Sequence, residues 1–80
     1  MNVKLSPSWT LTTEHAASSY GQPVLVHRTD GVAFGPGDIV KPYPSYGYMT
    51  AAAAVQRLAK TARLGVKGKA LVGRFKLLGD

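Results

Sequence analysis

The sequence predicts an α+β fold: a small antiparallel sheet built on a β-hairpin, with two or three helices packed on one face. Three observations predict it. Pro23-Val24-Leu25-Val26-His27 faces Val32-Ala33-Phe34 across Thr29-Asp30-Gly31, and Asp-Gly between apolar runs is a strong hairpin signal. Ala51 to Leu64 carries apolar side chains at helical spacing, bracketed by Thr50 and Gly65. The chain has 80 residues, 45% of them hydrophobic and 18% charged, which suits one folded domain over residues 1–80.

The elements follow in chain order. Asn2 to Leu5 reads as a short strand, closed by Ser6-Pro7-Ser8. Thr12 is placed to cap a helix over Thr13–Tyr20, with Glu14 in its first turn, Gly21 as a left-handed stop and Pro23 beyond. The hairpin comes next, and Gly35-Pro36-Gly37-Asp38 turns the chain out of it. Residues 41–48, with two prolines, one glycine and three of the four tyrosines, form a semi-rigid loop. A helix then runs Ala51–Leu64, capped by Thr50 and ended by Gly65. At about 100° per residue, Ala51, Val55, Leu58 and Ala62 share one face, while Arg57, Lys60 and Arg63 cluster opposite. Val66 to Leu78 reads as either helix or strand. The helical reading places Leu71, Val72, Phe75 and Leu78 together and is preferred, although Gly68 and Gly73 weaken both.

Charge is distributed unevenly. Residues 1–40 carry Lys4 and Arg28 against Glu14, Asp30 and Asp38, a net of −1. Residues 41–80 carry eight Lys and Arg against Asp80, a net of +7, so nearly all of the overall +6 lies in the second half. Such asymmetry favours a partner of negative potential: nucleic acid, an acidic protein surface or an anionic membrane. The alternative is a solubilising face. With no cysteine, disulfides and thiolate chemistry are excluded, and an intracellular home is expected. No apolar run reaches the roughly 18 residues of a membrane span, and Met1 to Pro7 does not read as a signal peptide.

The residues argue against catalysis. His15 points about 100° from Glu14 on a helix, His27 neighbours Arg28 beside a turn, and the four acids are scattered. No catalytic residue, metal or cofactor is therefore expected. Gly35-Pro36-Gly37-Asp38 lacks the Lys-Ser/Thr of a phosphate loop and the third glycine of a dinucleotide fingerprint.

The candidate site is instead a binding surface. Arg57, Lys60, Arg63, Lys67, Lys69 and Arg74, continued by Lys76, form a basic series without interleaved acids. Like charges at such spacing repel mildly, so stability alone gives no reason for them. Tyr43, Tyr46 and Tyr48 have three open readings: cover for the core, anchors for a protein partner, or platforms for stacked bases.

Two resemblances sharpen these expectations. The run Leu64 to Lys76 is similar to the turn and recognition helix of helix-turn-helix regulators of the tetracycline-repressor type. Gly65, Val66, Ala70, Leu71, Phe75 and Lys76 match that pattern. It departs where Lys60 and Thr61 stand in place of an apolar residue and Ala, and where the Pro/Tyr loop replaces a bundle helix. The likeness implies that Lys67, Lys69 and Arg74 approach DNA. In kind, though without a signature motif, the chain also resembles small phage-encoded anti-CRISPR proteins against type I systems, on residues 22–34 and 50–64. That likeness implies a non-enzymatic inhibitor in the bacterial host cytoplasm. It would dock on an RNA-guided surveillance complex and deny it target DNA.

Overall fold

Four strands set one apolar row side by side, and that row decides which face of the sheet is inside. They are β1 (Asn2–Lys4), β2 (Trp9–Thr12), β3 (Val24–His27) and β4 (Ala33–Phe34), paired antiparallel in the order β1-β2-β3-β4. Val3 lies opposite Leu11, Leu11 opposite Leu25, and Leu25 opposite Phe34. Side chains alternate along a strand, so Trp9 and His27 join this face, while Lys4, Thr10, Val26 and Ala33 share the other. In this computed structural model, which describes residues 1–79, the inward row meets α1 (Ala51–Thr61) and α2 (Val66–Leu77). The shared core joins Leu5, Trp9 and Val40 to Ala51, Ala54, Val55 and Leu58 of α1 and to Leu71 and Phe75 of α2.

The β3–β4 hairpin forms as the sequence predicts. Its turn uses Gly31 at φ +72°, a backbone conformation that glycine adopts without a Cβ penalty. The Asp30 carboxylate accepts from the Val32 N–H at 3.0 Å, and His27 N–H donates to the Val32 carbonyl at 3.0 Å. A second, smaller ribbon pairs β5 (Ile39–Val40) with β6 (Met49–Thr50), so the tyrosine loop 41–48 is a hairpin tip. This ribbon hands the chain directly into α1. Thr50 accepts from the Ala53 N–H at 3.3 Å, and the carbonyls of Asp38 and Pro36 take the N–H groups of Ala51 and Ala52.

Several expectations need correction. Residues 13–20 are not a helix; only a 3-10 turn at Ser19–Gly21 is regular there. Thr12 ends β2, and its hydroxyl accepts from the Glu14 N–H at 3.0 Å in a local turn. His15 Nδ1 accepts from the Ala17 N–H at 3.0 Å, and the Ser18 hydroxyl donates to the Thr12 carbonyl. These side chains occupy the backbone groups a helix would use, and the segment has no apolar face to bury. Gly21 does adopt φ +72°, but beside Tyr20 at φ 54° and full exposure.

The helix expected over Ala51–Leu64 stops at Thr61, and Gly65 caps the start of α2 instead of closing α1. Ala62 is an extended cap residue, half-buried, and Ala54 takes a place in the buried stripe. The early stop lets Leu64 reach the core and lie against Gly68, where an added Cβ would stand 3.3 Å from the Leu64 Cβ and 3.5 Å from Val3 Cγ1. Gly68 thus serves close packing between α2 and β1. Residues 66–77 are helical, burying Gly68, Leu71 and Phe75; Leu78 is the C-cap residue and is 41% exposed.

Candidate binding surface

The cations of α1 are placed by its buried stripe. Ala51, Ala54, Val55 and Leu58 face the core, which turns Arg57 and Lys60 outward, one turn apart. Arg63 follows in the exposed α1–α2 connection. Because the second hairpin delivers the chain to Thr50, its tip lies against this helix. The Arg57 guanidinium sits 5.4 Å over the Tyr46 ring, and Tyr46 contacts Tyr43 at 4.8 Å between centroids in a tilted arrangement. These distances suit a cation–π contact and an aromatic pair. Tyr43 is half-buried and packs on the core, Tyr46 is 41% exposed, and Tyr48 is exposed under Lys41 Nζ at 5.9 Å. Residues Tyr43, Tyr46 and Arg57 therefore form one contiguous row. Lys41 joins the residues that the sequence singles out, and its place beside the tyrosines is itself a sequence signal.

A small cleft of about 250 Å³ opens beside the row, lined by Trp9, His27, Lys41, Pro42 and Tyr43. Trp9 Nε1 donates to the Pro42 carbonyl at 3.2 Å, which fastens the loop to the sheet. A separate open cleft of about 560 Å³ lies between Ala17, Pro23, Phe34, Pro36 and Leu78, and none of the candidate residues lines it.

The remaining candidates lie on α2. Lys67 and Lys69 stand in its first turn, where the positive helix end opposes a cation. No acidic residue offsets them there. Arg74 is about 8–11 Å further along the axis, and its Nη2 donates to the Gly21 carbonyl at 3.4 Å. This contact ties Arg74 to the turn before β3. Among the described residues no Lys or Arg side chain forms an ion pair with a carboxylate; the ion pairs present are Met1 amine with Glu14 and His27 with Asp30. Backbone and His27 contacts account for Asp30: the Val32 N–H first, then the nearby imidazole, hold its carboxyl below the ordinary 3.8.

Both histidines are committed to structure. With His15 Nδ1 accepting, its Nε2–H donates to the Gly31 carbonyl at 3.1 Å and ties the 13–21 loop to the hairpin turn. His27 packs against Trp9 with ring centroids 4.7 Å apart and the planes tilted by 58°. Among the described residues no three His, Asp or Glu side chains converge for a metal, and no helix is long and apolar enough to cross a membrane. Comparison of the chain with protein-family models, curated proteins and solved structures finds no match.

Proposed function

We propose that this is a non-enzymatic binding protein whose α1 face and tyrosine hairpin tip engage nucleic acid. The observation that carries the reading is the row Tyr43–Tyr46–Arg57, continued by Lys60 and Arg63 with no carboxylate paired to any of them. Cations that track a phosphate backbone, beside aromatic rings that accept bases, are how proteins hold nucleic acid without a catalytic site. The short connection between α1 and α2 is also the kind of linkage a helix-turn-helix unit uses. The test is fluorescence anisotropy with labelled duplex and single-stranded DNA across a salt series. Binding that weakens with a log–log slope of about −0.9 per phosphate contact supports the reading. No binding to either DNA at low salt rejects it.

A second reading is favoured by the contact area of Tyr43 and Tyr46, since tyrosines anchor protein interfaces at low entropic cost. In it the chain is a phage-type inhibitor of the anti-CRISPR kind, acting in the bacterial cytoplasm on a type I surveillance complex. Its basic face meets an acidic patch or the bound nucleic acid of that complex. A pull-down that retains the complex on wild type, but not on Arg57→Glu/Arg63→Glu, supports it. Retention by both proteins rejects this patch as the docking surface.

A further inference from the structure

The outward side of α2 carries a second pattern. Gly68, Leu71 and Phe75 are buried and fall within about 60° of one another on the helix. Roughly opposite them run Val66, Ala70, Gly73 and Leu77, all exposed: Val66 is 87% and Leu77 69% accessible. An added Cβ on Gly73 would meet nothing within 4 Å, so the crest is open. The spacing is four, three, four, the alternation of d and a positions in a two-heptad seam. Lys67 and Arg74 flank this crest on one side, at e positions, and Lys69 and Lys76 on the other, at g positions.

We propose that this face of α2 docks an acidic amphipathic helix of a partner protein. An apolar seam with cations at all four flanking positions is complementary to a helix bearing Leu or Ile in its seam and Glu or Asp beside it. A second copy of this chain does not fit: in either orientation its own flanking cations meet like charge. Nucleic acid fits poorly as well, because the most protruding positions are neutral and apolar. A lipid surface gains little from a crest whose centre is Ala70 and Gly73, with no aromatic residue on it. Small central residues instead let a partner backbone come close. The inference stands independently of nucleic-acid binding, which uses Tyr46, Arg57 and Arg63.

The test is titration of the full chain with a labelled peptide of about three heptads, Leu at a and d and Glu at e and g. A peptide of identical composition with the heptad order scrambled is the control. The expected result is saturable binding of the heptad peptide alone, with amide shift changes centred on residues 66–77. Lys69→Glu/Lys76→Glu and the separate crest variant Ala70→Glu should each weaken it about tenfold or more. Arg57→Glu/Arg63→Glu should leave it in place, and circular dichroism confirms that each variant is folded. Equal binding of the scrambled peptide, or shifts centred on α1, overturns the proposal by reducing it to net charge. Absence of peptide binding overturns it too. So does dimerisation through residues 66–77 in sedimentation, or capture of this face by phosphatidylserine vesicles in preference to the peptide.

Discussion

Helices α1 and α2 each bury one stripe in the same core, yet they differ in how far their ends and outer faces support the helix itself. Helix α1 is capped by Thr50, fed by a hairpin that satisfies its first N–H groups, and buries Ala51, Ala54, Val55 and Leu58. Helix α2 has no side-chain cap, cations in its first turn, two glycines, and an apolar crest turned to solvent. A helix so arranged gives up local stability on its outward side and depends on Leu71 and Phe75 to stay in place. Features that the fold does not require are the ones to assign to partners. On α1 they are Arg57, Lys60 and the tyrosine contact; on α2 they are the crest and its flanking cations.

The severest way to break the comparison is to remove the anchor of α2. Phe75 is fully buried, so Phe75→Ala should cost about 3–5 kcal/mol, enough to unfold a domain this small in chemical denaturation. A loss under about 1 kcal/mol would mean that α2 is not docked as described. Filling the glycine contact comes next. Gly68→Val should cost about 1–3 kcal/mol, because its side chain meets Leu64 and Val3. Thr50→Ala removes the α1 cap and should lower stability by about 1 kcal/mol. The next change has the opposite sign. Gly73→Ala lies in open space on α2 and should stabilise by about 0.5–1 kcal/mol, with peptide docking retained. Lys67→Glu sharpens the contrast most finely: placing an anion at the α2 N-terminus should raise stability by about 0.3–1 kcal/mol while weakening anion binding. Were Lys67→Glu to lower the unfolding midpoint, Lys67 would be serving the fold.

Acid sensitivity of the β3–β4 hairpin has a definite sign. The Asp30 carboxyl is held below its ordinary 3.8, chiefly by the Val32 N–H. Its contribution to stability is therefore complete above that value and is lost as pH falls through the depressed one. Asp30→Asn should remove this acid-dependent part, read as a flatter midpoint-versus-pH curve below about pH 4.

The parts of the fold legible in the sequence are those where local chemistry and burial agree. Asp30-Gly31 sets the hairpin, Thr50 the helix start, and two prolines the tyrosine loop. Trp9-Thr10-Leu11-Thr12 carried a strand pattern too, with apolar residues at alternate positions, but Thr12 also suits a helix cap. Pairing with β1 and β3 decides between them, and that pairing is non-local. Strands of two residues such as β5 and β6 leave no periodic signal, and the loop between them is held by a non-local contact to Trp9. Within the candidate surface, the outward placement of Arg57 and Lys60 follows from helical spacing. The Arg57–Tyr46 contact does not, since it depends on where the second hairpin folds. The crest of α2 is hidden in the sequence because two of its four residues are Ala and Gly, and because it emerges only once Gly68 is known to face inward.

The central claim is that the two cationic faces have different partners, and a charge-matched pair of variants tests it directly. Arg57→Glu/Arg63→Glu and Lys69→Glu/Lys76→Glu each lower the net charge of +6 by four units, so bulk charge is equal between them. DNA anisotropy at fixed low salt should show binding about tenfold or more weaker in the first variant than in the second. Equal losses in both would contradict the account and leave a single undifferentiated basic surface.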